Sequence, residues 1–103
     1  MNAAPRSTTE ILQAPIQLVS ETRAAFRSDA LAYVERLGAA KATVATINLG
    51  ETLEVDASGL GILVLLQKRS KELGMTLRLA QVPSKVRYLL VLTKLDHLFD
   101  MAE

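Results

Sequence analysis

The sequence predicts a single α/β domain, and three observations predict it. Strand-like runs alternate with helical periodicities from residue 20 onward, the pattern of a mixed, largely parallel sheet joined by right-handed crossovers. The β-branched run Ala42-Thr43-Val44-Ala45-Thr46-Ile47-Asn48-Leu49 reads as a buried central strand. Downstream, Leu60 to Leu66 is apolar and free of proline, and it continues through Gln67-Lys68-Arg69-Ser70-Lys71-Glu72-Leu73 to a glycine stop at Gly74. A chain of 103 residues holds one core, four or five strands, and three to four helices mainly on one face of the sheet.

The elements follow in order. Residues 1–7 read as a flexible terminus and 8–103 as the domain. Thr8 to Leu12 forms a short first strand, which Ala14-Pro15 interrupts, and proline confines that point to a sheet edge or turn. Ile16-Gln17-Leu18 is a second short strand or the lead-in to a helix. Ser20 is of N-cap type. Beyond it Ala24, Ala25, Leu31, Val34 and Leu37 recur at helical spacing, with Phe26, Ala30 and Tyr33 on an adjacent face, and Gly38 ends the helix. Thr43 to Leu49 is apolar enough to be covered on both faces. Residues 50–54 are a loop that, with Asp56, gathers three carboxylates ahead of the central helix. Thr76 to Val82 is the next strand, and Pro83 opens a helix that points Val86, Leu89, Leu90 and Thr93 inward. Leu95, Leu98 and Phe99 seal the fold in a final turn or short helix.

Half of the residues are apolar but only four are aromatic, so the core must be built from Leu, Val, Ile and Ala. The net charge of +1 is shared unevenly. Residues 1–57 hold five basic and seven acidic side chains, residues 58–103 seven basic and four acidic. That asymmetry is too mild for a nucleic-acid binder, and no aromatic platform accompanies it. The absence of cysteine excludes disulfides and thiolate metal sites, and is compatible with a reducing compartment. No apolar run has signal-peptide length at the start, and the longest is far short of the ~20 residues of a membrane span. The expectation is a cytoplasmic protein that does not insert into membranes and needs no cofactor.

The chemistry-bearing stretch is Val55-Asp56-Ala57-Ser58-Gly59-Leu60-Gly61-Ile62-Leu63. Asp56 and Ser58 are residue types whose oxygens accept the free N–H groups of a helix's first turn. Gly59 and Gly61 follow in that turn, although glycine costs about 1 kcal/mol against alanine in a helix interior. Two in three positions suggest backbone kept bare for a close approach. Glu51, Glu54 and Asp56 lack the spacing of a calcium loop, so no metal is expected. Gly59-Leu60-Gly61 is followed by no Gly-Lys-Ser/Thr, which rules out a Walker loop. Ser58 lacks the Gly-x-Ser-x-Gly elbow, and His97 sits alone near the terminus, so no catalytic residue is assigned. Lys68, Arg69 and Lys71 read as the wet end of the helix. Its surplus of apolar side chains has two readings. Either neighbouring helices bury its second face, or Ile62, Leu65 and Leu66 form an apolar patch for a partner.

Asp56-Ala57-Ser58-Gly59-Leu60-Gly61 resembles the Asp-Ser-Ser/Thr-Gly-Leu-Gly signature of the STAS family, the anti-sigma factor antagonists and their relatives. The resemblance continues in order through Glu72-Leu73-Gly74, the strand Thr76-Leu77-Arg78-Leu79-Ala80, then Val82-Pro83-Ser84-Lys85-Val86-Arg87-Tyr88-Leu89-Leu90, and Leu95-Asp96-His97-Leu98-Phe99. It covers residues 40–100 well and the N-terminal third loosely, where the family's usual hairpin looks abbreviated. It implies the STAS (SpoIIAA-like) fold and a non-enzymatic regulator in a partner-switching pathway, binding an anti-sigma factor or switch kinase through the 54–66 corner. Glu54, Asp56, Ala57, Ser58, Gly59, Leu60, Gly61 and Ile62 would form that contact. Asp56 would hold the corner, the glycines would admit a partner's backbone, and Leu60 and Ile62 would supply apolar contact. In the family, the residue after the aspartate is the phosphorylated serine or threonine. Here it is Ala57, so either no phosphate switch operates, Ser58 takes the role, or a serine was replaced. The alternative implied is a subunit of a bacterial lipid-transport ABC system that binds and stabilises its ATPase. A monomer or weak homodimer is expected, with stable self-assembly the mark of a third reading, a scaffold subunit.

Overall fold

The computed structural model describes residues 10–102, with the elements β1 (Ile11–Gln13), β2 (Gln17–Leu18), α1 (Arg23–Ala39), β3 (Val44–Asn48), β4 (Glu54–Val55), α2 (Ala57–Glu72), β5 (Thr76–Ala80), α3 (Ser84–Leu92), a 3₁₀ turn (Asp96–Leu98) and β6 (Asp100–Ala102). The expected flexible stretch 1–7 lies outside the described residues, as do Thr8 and Thr9 of the expected first strand. The main sheet runs β1-β3-β5-β6, with every neighbouring pair parallel. A separate two-stranded parallel unit joins β2 to β4. The α/β class, the mostly parallel sheet and the three helices agree with the sequence reading. In place of a hairpin, β1 and β2 each pair with a later strand.

Register decides what each face of the sheet carries, because side chains alternate with period two. Leu12, Ile47, Leu79 and Met101 stand in one row, with Ala45 and Leu77 beside them on the same face. Ala45, Ile47, Leu77 and Leu79 are buried in the core with Leu60, Leu63 and Leu66 of α2. The other face carries the row Ile11, Thr46, Arg78 and Asp100, with Ile11 exposed and Arg78 paired to Asp100 at 2.9 Å. The expectation that β3 is covered on both faces is therefore corrected. Val44, Thr46 and Asn48 are only half-buried, and the polar atoms of Thr46 and Asn48 suit an incompletely covered face.

Several local readings also change. Helix α1 begins at Arg23, not after Ser20. The residue at its N-cap position, Thr22, turns its hydroxyl back to the preceding turn, donating to the Gln17 carbonyl (2.7 Å) and accepting from the Val19 N–H (3.1 Å). Its buried stripe is Phe26, Ala30, Tyr33, Val34 and Leu37, while Ala24 and Ala25 are exposed. The bulk of Phe26 and Tyr33 selects that face over the alanine-rich one. Gly38 lies inside α1 rather than ending it: a Cβ there would stand 2.9 Å from Leu73 Cδ1. The chain reverses instead at Lys41, whose φ is 63°. Gly74 does serve as the expected stop after α2, with φ 81°.

Tyr33 also closes the sheet. Its hydroxyl lies 2.8 Å from the Glu10 carbonyl, to which it donates, and accepts the Thr46 N–H at 2.9 Å, at the start of the β1–β3 pairing. Burial pushes its pKa up, opposed by the Thr46 N–H. Arg69 is no solvated helix end. It bridges Glu35 of α1 and Glu72 of its own helix, tying the two helices together. Thr93 is exposed rather than inward, its hydroxyl bonded to the Leu89 carbonyl at 2.7 Å. Two short strands escaped the sequence reading: β4, which starts at the last residue of the expected loop, and β6 after the final turn.

Candidate functional site

The corner between β4 and α2 is built around one carboxylate. Asp56 is extended (φ −115°, ψ −173°) and caps α2, its Oδ1 accepting the Gly59 N–H at 3.0 Å. Its Oδ2 accepts the Ser20 N–H, also at 3.0 Å, so the same side chain clasps the segment that leads from β2 into α1. The Gly59 N–H first, then that of Ser20, hold the Asp56 carboxyl below the usual carboxylate range. The capping role expected of Asp56 and Ser58 together is carried by Asp56 alone, and Ser58 lies half-buried in the first turn.

Gly59 is bare for an internal reason. A Cβ built on it would lie 2.1 Å from the Leu18 carbonyl oxygen and 2.9 Å from Leu18 Cγ. The close approach that its glycine permits is made by β2 of the same chain, not by a visitor. Leu60 and Ile62 are likewise buried, 8% and 6% exposed, and belong to the core. Their expected part as apolar contacts is corrected: α2 has the sheet on one side and α1 on another, and both leucine and isoleucine are consumed between them. Of the two readings of the apolar surplus on α2, burial by neighbouring elements holds rather than a patch at Ile62, Leu65 and Leu66, since Leu66 is fully buried and Leu65 half so.

What remains open is narrower. Ala57 and Gly61 are exposed, and nothing lies within 4 Å of a Cβ built on Gly61. Glu54 is exposed, its carboxylate accepting from Gln17 Nε2 at 2.9 Å. Alongside runs an open groove of about 640 Å³ lined by Ile16, Gln17, Leu53, Glu54 and Lys85 among others. Ile16 and Leu53 are 56% and 69% exposed, and Lys85 Nζ lies 3.5 Å from the Leu53 carbonyl. Sequence reasoning missed Ile16, Leu53 and Lys85. The available signal was an isolated leucine inside an otherwise polar, acidic loop.

Glu51, Glu54 and Asp56 do not form a ligand set: among the described residues no three His, Asp or Glu side chains could hold a metal ion. His97 is exposed on the 3₁₀ turn. No described helix is long and apolar enough to cross a membrane.

The STAS domain family model matches residues 6–103. A crystal structure of a candidate anti-sigma factor antagonist from Thermotoga maritima is similar to this chain at a TM-score of 0.77 and 19% identity, covering 95% of this chain and 83% of that one. A sulfate transporter family protein from Wolinella succinogenes reaches 0.69 at 15% identity, covering 85% and 68%. The unphosphorylated anti-sigma factor antagonist SpoIIAA reaches 0.64 at 13% identity, covering 96% and 84%. At such identities these likenesses establish the shared fold. A search among curated proteins finds no match.

Proposed function

Because this chain belongs to the STAS domain family, we propose that it is a non-enzymatic protein-binding module. It acts as an anti-sigma factor antagonist-like regulator, engaging an anti-sigma factor or switch kinase through the corner at 54–66. The observation that carries this reading is the open side of the first turn of α2, where Gly61 has free space above its Cα and Ala57 is exposed beside it. Bare backbone on a rigid, capped turn gives a partner a surface that it can approach closely without displacing side chains. The exposed Leu53 and Ile16 add apolar contact area at the same end, in place of the buried Leu60 and Ile62. The setting is cytoplasmic, and the free protein is a monomer or weak homodimer.

Ala57 favours a second reading. It stands exposed where the family carries its phosphorylated hydroxyl, and it cannot accept phosphate. A STAS subunit that binds and stabilises the ATPase of a lipid-transport ABC system has no need of that switch. Were Ser58 phosphorylated instead, nearly two negative charges would arrive beside Asp56 and act by repulsion.

A pulldown with the wild-type chain and Gly61→Arg tests both readings. Recovery of a kinase-fold switch protein supports the first, and recovery of an ABC ATPase the second. The arginine variant should lose the partner while keeping its helical circular dichroism, since no atom stands in its way. Undiminished capture by Gly61→Arg would remove the corner from the interface. Intact mass after incubation with the switch kinase and ATP decides whether Ser58 is modified.

A further inference from the structure

Helices α1 and α2 lie side by side and run in the same direction. Ser20 meets Asp56 just ahead of them, Arg69 donates to Glu35 further along, and Gly38 lies against Leu73 at their far ends. Near their common start Arg23, Ala24, Arg27 and Ile62 line a hollow of about 360 Å³. Arg23 and Arg27 stand at i and i+4, one turn apart on the same side of α1. Neither has a hydrogen bond or ion pair among the described residues, whereas Arg36, Arg69 and Arg78 are ion-paired and Arg87 is also engaged. Among the described residues no acid lines this hollow. Glu21 and Asp29 line a separate one with Gln13 and Phe26, and both Asp56 oxygens are taken by the Gly59 and Ser20 N–H groups. Ser58 stands at i to the i+4 of Ile62, on the same side of α2 and one turn nearer its start. The Ser58 hydroxyl has no hydrogen-bond partner among the described residues.

We propose that this hollow binds a phosphomonoester, with Arg23 and Arg27 both donating to its phosphoryl oxygens. The number of guanidinium forks selects the ligand. A carboxylate is satisfied by one guanidinium, as Glu35 is by Arg69, whose Nε and Nη2 reach its two oxygens at 2.5 and 3.0 Å. Two unpaired guanidiniums on one hollow suit instead a tetrahedral dianion, whose three terminal oxygens can engage both forks. The positive ends of both helix dipoles lie at this end, and α1 has neither an acid in its first turn nor a side chain capping it. The phosphoryl group comes from one of two sources, a small ligand in solution or Ser58 itself. In the second case the Ser58 Oγ–P bond forms as the β–γ bond of ATP breaks, with ADP leaving and the hydroxyl proton released. Asp56 then repels the phosphate from the corner, and the arginines draw it into the hollow. Only this second source rests on the reading of Ser58 as a modified residue, and neither depends on the identity of the partner.

The experiment has two arms, both on the whole chain. In the first, isotopically labelled protein is titrated at constant ionic strength with inorganic phosphate, with N-acetyl-phosphoserine amide, and with chloride as the control. The two phosphate probes should shift the amide resonances of residues 22–28 and 57–62 saturably, and chloride should not. Binding of the phosphoserine probe should be tighter at about pH 8 than at about pH 5, on either side of its second pKa of about 6. Arg27→Gln, at an exposed position, should weaken it by about fivefold or more, and adding Arg23→Gln should remove it. In the second arm phosphoserine is installed at position 58 during translation, and its phosphorus resonance is followed against pH. Capture should bring its second pKa below about 6, and the double arginine variant should restore the ordinary value. Saturable binding in the first arm alone supports a ligand from solution, and a lowered pKa in the second alone supports Ser58 as the source. Failure of both arms, an equal response to chloride, or effects that persist in the double variant would each overturn the proposal. Since no partner enters either arm, the docking role of the corner stands or falls separately.

Discussion

Gly59 and Gly61 occupy the same turn of α2, two residues apart, and their surroundings are opposite. A Cβ at Gly59 would collide with the Leu18 carbonyl at 2.1 Å, whereas one at Gly61 would meet nothing within 4 Å. The first glycine is a packing requirement of the fold, and the second is a choice that the fold does not enforce. The inner side of the corner, where Asp56 ties Ser20 and Gly59 together, therefore concerns stability. The outer side, with Ala57 and Gly61, is exposed and carries no such packing constraint.

The largest effect that could break this division belongs to Gly59→Ala. Alanine gains about 1 kcal/mol in helix propensity, but overpacking against backbone costs about 1–3 kcal/mol and at this separation falls at or above the upper end. A net loss of about 2 kcal/mol is expected, read as a lowered urea midpoint with unchanged slope. A variant as stable as wild type would mean that β2 yields easily, and the inner side would lose its structural claim.

Asp56→Asn probes the inner side more gently, because asparagine also caps helices but carries no charge. The folded-state pKa of Asp56 is depressed by the Gly59 and Ser20 N–H groups. Its charge-dependent stabilisation is therefore present above the unfolded carboxylate pKa and disappears as pH falls through the folded value. Wild type should be the more stable near neutral pH, by less than the Gly59→Ala loss, and the two urea midpoints should converge below about pH 4. A gap that stays constant with pH would assign the clasp to hydrogen-bond geometry alone.

The contrast between the glycines also marks how far the sequence was legible. The strand at 44–48, the helix from 57 to its stop at Gly74, and the capping aspartate all rest on local chemistry, and each could be read from neighbouring residues. The purpose of Gly59 could not, because Leu18 is 41 positions away and only the β2–β4 pairing brings it near. Gly38 misled for the same reason: its neighbour Leu73 belongs to another helix, and nothing local distinguishes a packing glycine from a helix stop. The strands β4 and β6 are two and three residues long, too short to show alternation, and exist through their partners. The helical face of α1 was misjudged because alanine and phenylalanine count alike in a periodicity, while the core selects by volume.

Gly61→Ala carries the smallest expected change and the sharpest inference. With space around the Cβ and ordinary helical backbone, alanine should raise stability by about 0.5–1 kcal/mol, partly by restricting the unfolded chain. A fold optimised for stability alone would have taken that gain. If the glycine is kept so that a partner's main chain can lie against α2, the methyl group must weaken binding even as the urea midpoint rises. Stability and affinity would then move in opposite directions in one variant, which neither a packing defect nor a misfolded protein can imitate. Should affinity for the captured partner hold while stability rises, the bare backbone at Gly61 serves no visitor. The docking surface would then have to be sought along Leu53 and Ile16 instead.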